Sequence, residues 1–308
     1  MAKVFSRVVL ISLALLMCCS GFGQSLSNET VVRLPAFVRT KDGGLIKNLS
    51  ANDLEVFEDG TKLKVELEGK LEAPATIGIV LDLSGSVGVK TVEETVERVV
   101  HLVAAAPEKS EFFLCLVWRD DVLDIETTTD RKRVLSYLDQ IRRYKPYGNT
   151  RLFDGVRRAI DRFGVALFTK RVLVVISDGN DNSSKTRGLD LLKLMKLESV
   201  VTYTVNILER GDLASSYAQS GQAWLIGLTE VGGGRFFGSA SGLIPAEPAD
   251  KSWPKEISDD ISNMYLIKTT VRPTLDKTKW RKLDVRLTKA AKDRLGSVKL
   301  RARRGIYL

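Results

Sequence analysis

Apolar and polar residues alternate through the first part of the chain and then change rhythm. Between Thr30 and Gly69, four runs read as short strands: Val31-Val32-Arg33-Leu34, Phe37-Val38-Arg39-Thr40, Leu54-Glu55-Val56-Phe57-Glu58 and Leu63-Lys64-Val65-Glu66-Leu67. Turns at Lys41-Asp42-Gly43-Gly44 and Asp59-Gly60 separate them. Asp-Gly between alternating runs is a hairpin signal, because glycine takes positive φ without steric cost. This stretch predicts a small antiparallel β module. From Ala75 the pattern differs. Ile77-Gly78-Ile79-Val80-Leu81 is apolar throughout, as suits a parallel strand buried on both faces. Helical periodicity covers Lys90–Ala105, Arg131–Ile141, Arg151–Phe163, Leu189–Leu197 and Ser216–Val231. Strand-like runs at Phe112–Trp118, Val122–Glu126, Arg171–Ser177, Val200–Ile207 and Arg235–Phe237 alternate with those helices. The alternation predicts an α/β domain: a doubly wound, mostly parallel sheet with helices on both faces.

A Ser/Gly/Pro/Ala-rich connector spans Ser239–Pro254, and Ile257–Met264 reads as a last helix. Tyr265–Val271, Lys282–Leu287 and Ser297–Ala302 then read as strands separated by turns. These short strands read as too few to make a stable domain alone. They are expected to join the N-terminal strands, so that both ends of the chain build one β module. The organisation expected is therefore 1–24 as an export signal, 25–72 as N-terminal β module, 73–240 as α/β domain, and 241–308 as connector, helix and C-terminal strands.

The signal reading rests on Met1–Gln24. Lys3 and Arg7 precede an apolar run, Val8–Cys19, which is shorter than the ~20 residues needed to span a bilayer. Gly21-Phe22-Gly23 supplies small residues for cleavage. An uncut anchor, or a lipoprotein using Cys18 or Cys19, are the alternatives. The expected location is periplasmic or extracellular. Once the signal is removed, Cys115 is the only cysteine left of three, so no intramolecular disulfide can form. Its apolar neighbours, Phe112 to Val117, make it a buried small hydrophobe. Hydrophobic residues at 44% and charged residues at 28% describe an ordinary globular chain and exclude a disordered one. A single histidine excludes a multi-histidine zinc or copper site.

The formal charge of +9 invites a nucleic-acid or anionic-surface reading, but it is unevenly placed. Tyr265–Leu308 holds 14 Lys and Arg against 3 Asp and Glu. The basic excess belongs to the C-terminal strands, and the rest of the mature chain is mildly acidic. Alternation such as Lys299-Leu300-Arg301-Ala302-Arg303 reads as a solvated β face. No nucleic-acid partner is expected, and weak association with an anionic envelope surface is a minor option.

In a doubly wound sheet, ligands bind at the carboxyl ends of the strands. The first such strand ends in Asp82-Leu83-Ser84-Gly85-Ser86. Alternate residues of an extended segment point the same way, so Asp82, Ser84 and Ser86 can converge. Thr150 lies on a loop, Tyr147-Gly148-Asn149-Thr150, at the same edge, and Asp178 ends the strand Val172–Ser177. Together they form a five-oxygen set of the hard kind that suits Mg²⁺, Mn²⁺ or Ca²⁺. Without the Thr150 and Asp178 segments, Asp82-Ser84-Ser86 would read as a metal-free polar turn capping a helix.

The pattern D-x-S-x-S, then G-x-T before a helix, then S-D-G after an apolar strand resembles the von Willebrand factor type A (VWFA) domain with an intact metal-ion-dependent adhesion site. The wider chain is similar to exported bacterial VWFA-related proteins of the acidobacterial type. Those carry phrases like Leu54-Glu55-Val56-Phe57-Glu58-Asp59-Gly60 near the start and Arg301-Ala302-Arg303-Arg304-Gly305 near the end. The resemblance implies that Ser84, Ser86 and Thr150 coordinate a divalent cation directly. Asp82 and Asp178 would bind it directly or through water. It also implies a protein partner that presents a carboxylate to the metal, most often Mg²⁺.

Enzymatic readings lack part of their cast. A strand-end Asp can attack phosphate, but the general acid expected two residues on is Ser84. A serine hydrolase needs a base, and His101, inside a predicted helix, reads as a partly buried structural residue. Gly232-Gly233-Gly234 lacks the Lys of a phosphate-binding loop and reads as a turn. Asp181 reads as a supporting or surface residue and not a ligand. The function expected is an exported, non-enzymatic, metal-dependent protein-binding or adhesion module. The alternatives are a metal-dependent envelope enzyme of the phosphohydrolase type, or an assembly scaffold whose metal is purely structural.

Overall fold

The computed structural model describes residues 29–208, 215–238, 252–272 and 280–306. The expected signal and most of the Ser239–Pro254 connector lie outside the described residues. In chain order the strands are β1 (Thr30–Thr40), β2 (Leu54–Glu58), β3 (Thr61–Leu63), β4 (Glu66–Leu67), β5 (Thr76–Asp82), β6 (Glu111–Trp118), β7 (Asp121–Thr128), β8 (Arg171–Ser177), β9 (Val201–Asn206), β10 (Phe236–Phe237), β11 (Tyr265–Val271), β12 (Arg281–Leu287), β13 (Val298–Ala302) and β14 (Gly305–Ile306). The helices are α1 (Val89–Ala105), α2 (Arg131–Ile141), α3 (Leu152–Arg162), α4 (Gly188–Leu197), α5 (Ser216–Gly232), α6 (Trp253–Ser262) and α7 (Lys289–Leu295).

Six strands form the central sheet in the order β10-β9-β8-β5-β6-β7, with every neighbouring pair parallel except β6–β7. β5 is buried along its whole length, which explains its unbroken apolar run. On one face of the sheet, α1, α2 and α6 supply Val92, Val96, Val99, Leu102, Leu138, Ile257 and Ile261 to one core. On the other, α3, α4 and α5 supply Val156, Ile160, Leu191, Met195, Leu225 and Leu228 to a second. In α1 the buried residues fall three or four apart, the spacing that puts side chains on one helical face. Each such Val or Leu taken fully out of water contributes about 1.5–3 kcal/mol. Asp130 starts α2 by accepting from the amides of Lys132 and Arg133.

Two four-stranded antiparallel sheets, β13-β1-β11-β4 and β14-β12-β2-β3, make the β module. Both mix strands from the two ends of the chain, and both contribute to a third core built on Leu34, Val38, Val56, Ile267 and Leu283. β1 joins this module to the α/β layers. Val38 enters the third core while Phe37 enters the first, so residues 34–38 are buried on both faces.

Several elements differ from the pattern-based expectation. Val31–Leu34 and Phe37–Thr40 are one 11-residue strand that runs through Pro35. β13 pairs with β1 only from Ala36 onward, so Pro35 sits where one edge of β1 is open and its missing N–H breaks no ladder. Leu63–Leu67 is two strands: β3 pairs with β2 in one sheet and β4 with β11 in the other, so the chain crosses between sheets there. The segment expected as a turn before Ser297 contains α7. Thr288 caps its start by accepting the Ala291 amide, and Gly296 at φ 69° ends it.

Candidate functional site

The predicted residues gather at the carboxyl edge of β5 and β8, on three loops laced together by backbone hydrogen bonds. β5 ends at Asp82, whose Oδ1 accepts the Ser84 amide at 2.9 Å. This folds the chain so that the Ser84 and Ser86 hydroxyls stand 3.2 Å apart. The Leu83 carbonyl accepts the Tyr147 amide at 3.1 Å, and the Gly85 amide donates to the Gly148 carbonyl at 2.9 Å. Those two bonds bring the Thr150 loop alongside. Gly148 must be glycine here: φ is +88°, and a Cβ would lie 2.9 Å from the Asp120 amide nitrogen. The Asn182 side chain accepts the Thr150 amide at 2.9 Å, while the Asn182 and Ser183 amides donate to the Thr150 carbonyl, each at 3.1 Å. Asp178 ends β8, and its Oδ1 accepts the Asn180 amide at 2.9 Å.

Hydrogen bonds thus unite Asp82, Ser84 and Ser86 directly, while Thr150 is placed through its backbone. Asp178 enters the group through its charge. Asp82, Ser84, Thr150 and Asp178 are buried, and Ser86 is exposed. Burial, and then the Asp178 carboxylate, push the Asp82 carboxyl up to about 6, against the opposing hydrogen bonds from Ser177 and Ser84. Neither carboxylate forms an ion pair with a Lys, Arg or His among the described residues. No cluster of three or more His, Cys, Asp or Glu that could hold a metal occurs among the described residues. The donors here are two carboxylates and three hydroxyls. Two buried acids without a countercharge, ringed by neutral oxygens, fit a hard divalent cation better than they fit an empty polar turn.

Three contributors escaped the sequence reading. Ser177 donates to Asp82 Oδ2 at 2.6 Å and accepts the Gly179 amide at 2.9 Å, tying the two acidic loops together. It follows an apolar strand and precedes Asp178, the one signal that might have marked it. Asn182 clamps Thr150, which only the fold reveals. Tyr217, half exposed at the start of α5, has its phenol pushed up by burial and by the charges of Asp178, Asp82 and Asp181, so it stands beside the site. Asp181 is spent on structure: its Oδ2 accepts the Phe153 amide at 2.8 Å and the Ser184 hydroxyl at 2.6 Å, holding the start of α3.

Helix α5 packs against the Asp178 loop glycine to glycine. A Cβ on Gly179 would lie 2.1 Å from the Gly221 carbonyl oxygen, and one on Gly221 would lie 2.4 Å from that of Asp178. His101 is exposed on α1 and not partly buried as expected, because it faces away from the sheet. It is 12 residues beyond Val89, roughly 18 Å along the helix from the end nearest Ser86, out of reach as a base for it. Cys115 is buried, its thiol donates to Asp124 Oδ1 at 3.3 Å, and burial pushes that thiol up. Gly233, at φ 73°, terminates α5, so the glycine triplet is a helix stop.

The basic C-terminal strands also differ from a solvated face. Arg301 donates to Asp260 Oδ2 at 2.7 Å across the module boundary. Arg303 is buried and donates to the carbonyls of Met195, Lys196 and Glu198, closing the end of α4. These arginines attach the β module to the α/β layers.

Residues 76–223 match the family model of the von Willebrand factor type A domain, so the chain contains a domain of that family. No curated protein matches the chain. Among solved structures it is similar to a von Willebrand factor type A protein from Catenulispora acidiphila, with 10% identity over 92% of this chain and 75% of that one and a TM-score of 0.47. The manganese-loaded TRAP protein of Plasmodium vivax aligns at 13% identity over 77% of this chain and 96% of that one, TM-score 0.43. The pilus adhesin SpaC of Lactobacillus rhamnosus GG aligns at 10% identity over 88% of this chain and 48% of that one, TM-score 0.49.

Proposed function

We propose that the chain is an exported protein-binding module whose von Willebrand factor type A domain engages its partner through a divalent cation. Asp82, Ser84, Ser86, Thr150 and Asp178 would hold the ion as an intact adhesion site, with Mg²⁺ the first choice and Mn²⁺ or Ca²⁺ possible. The observation that carries this reading is the pair of buried carboxylates, surrounded by hydroxyls, that no Lys, Arg or His among the described residues compensates. When bound, the ion supplies a positive, open coordination position that a carboxylate of another protein can fill. This chain's own groups do the rest. Ser177 and the Ser84 amide orient Asp82, Asn182 fixes Thr150, and the packing of α5 fixes Asp178. Among the described residues no histidine reaches a site serine, and Ser84 stands where a second acid would follow Asp82, which favours binding over catalysis. The apolar run before Ser20 supports export, and among the described residues no helix is long and apolar enough to cross a membrane.

Calorimetric titration of the mature chain with Mg²⁺, beside Asp82→Ala, tests the metal. Saturable binding that Asp82→Ala abolishes is expected. Equal binding in both proteins, or none in either, overturns the reading. Partner capture from envelope extract that EDTA reverses is expected in the same way, and chelator-insensitive capture would make the metal a structural part only. Phosphoester turnover lost in Asp82→Ala would favour the enzyme alternative.

A further inference from the structure

A second charged constellation lies away from the strand-end site, where the β module meets α6 and β10. Asp260, on α6 and fully buried, accepts Arg39 at Oδ1 (2.7 Å), and Arg301 (2.7 Å), Arg235 (3.1 Å) and the Tyr203 hydroxyl (2.9 Å) at Oδ2. Arg235 also pairs with Glu256 at 2.6 Å. Above this knot opens a cavity of about 290 Å³ lined by Arg39, Lys41, Arg235, Lys299, Arg301 and Glu256, with Phe37 on one wall. Among the described residues, five cations therefore face two carboxylates, Asp260 and Glu256.

Two features go beyond what holding the fold requires. Arg39 on β1 is the direct cross-strand partner of Lys299 on β13, and like charges placed opposite each other destabilise an antiparallel pair. Lys41 and Lys299 are exposed at the cavity rim, and neither makes an ion pair among the described residues. A structural knot needs the three arginines; it does not need two uncommitted ammonium groups added to their excess charge. Guanidinium groups held by a buried acid, with exposed lysines beside them, make the donor arrangement that phosphate oxygens match.

We infer that this seam cavity is a binding site for a phosphate group, with Lys41 and Lys299 closing on it over a floor of Arg39 and Arg301. The group could belong to a free small phosphate or to the headgroup of an anionic phospholipid, and the chemistry at the site is the same. The inference does not depend on the metal reading, because none of the five strand-end residues lines this cavity.

The test is done on the mature chain in EDTA, so that no divalent ion bridges phosphate to the strand-end site. Pyrophosphate is titrated calorimetrically, and co-sedimentation is measured with vesicles of phosphatidylglycerol against phosphatidylcholine. Both are repeated with Lys41→Ala/Lys299→Ala, whose exposed side chains are not needed for folding, as an unchanged melting curve would verify. Saturable pyrophosphate binding, weakened about tenfold or more in the double variant, supports a free phosphate ligand. Binding to phosphatidylglycerol vesicles, lost in the same variant, supports a lipid headgroup. No saturable binding to either probe, or binding the variant leaves unchanged, overturns the inference.

Discussion

Asp260→Asn isolates one of the contacts that join the β module to the α/β layers. The native carboxylate is fully buried and takes four hydrogen bonds, from Arg39, Arg235, Arg301 and Tyr203. Asparagine keeps the shape but loses the charge, and its NH₂ must face at least one guanidinium donor. Removing one partner from a buried ion cluster costs about 3–5 kcal/mol. The arginine side chains are 12–28% exposed, so water recovers part of their loss, and the lower half of that range applies. At 2–4 °C per kcal/mol, the melting temperature should fall by roughly 6–16 °C. Urea unfolding followed by circular dichroism gives the difference directly. Asp259→Asn is the control, since Asp259 pairs only with exposed Lys255 and should cost under about 1 kcal/mol. Burial alone would push the Asp260 carboxyl up, but Arg301, Arg235 and Arg39 outweigh it and the net effect is a lowered pKa. Its contribution is therefore present above the unfolded value of 3.8 and lost as pH falls through the lower folded value. The deficit of the variant should be as large at pH 5 as at pH 7. A deficit no larger than that of Asp259→Asn, or one that shrinks by pH 5, would refute this account.

Lys170 is buried, donates to the Leu71 carbonyl, and burial pulls its amine down from 10.5 to about 8. Folding then favours the neutral amine, so stability falls as pH drops from 10.5 to 8. Lys170→Met should gain about 2 kcal/mol at pH 7 after the lost hydrogen bond is deducted, with the gain vanishing near pH 10.5; urea titrations at both pH values check it. Arg303→Met strips three carbonyls at the end of α4 of their donor and should cost about 2–4 kcal/mol, with faster hydrogen exchange in α4. Unchanged exchange there would contradict the capping role. Gly221→Ala drives a methyl group into the Asp178 carbonyl and should cost about 1–3 kcal/mol. It should also weaken Mg²⁺ binding in calorimetry, and unaltered affinity would show that α5 does not position Asp178.

The α/β layers were legible because their signals are local and strong. An unbroken apolar run with Asp at its end placed β5 and Asp82 together, and the same logic placed β8 and Asp178. Asp-Gly at 59–60 marked the β2–β3 hairpin. What stayed hidden depends on distant partners. Pro35 broke the reading of β1 because a ladder's open edge cannot be seen from one strand. Arg301 and Arg303 alternate with Leu300 and Ala302 as exposed residues do, and only their meeting with Asp260 and the end of α4 shows them turned inward. Asn182 carries no pattern at all, and Ser177 only its place between an apolar strand and Asp178; their roles appear once the loops of β5, β8 and α3 lie side by side. α7 was lost for another reason: seven residues give too little periodicity to separate a helix from a turn.

Strand β1 carries a consequence for synthesis. It is the first described strand to be made, yet its two main neighbours, β11 and β13, come only after Met264, and Arg39 meets an acid 221 residues further on. The central-sheet strands β5 to β10 have every strand partner they need by Phe237 and can close early. Until the final strands arrive, β1 waits with unpaired edges and an apolar face, the state in which strands pair with the wrong chain. A chain cut short before β13 would therefore be expected to clump during production, even though the strand-end site is already complete.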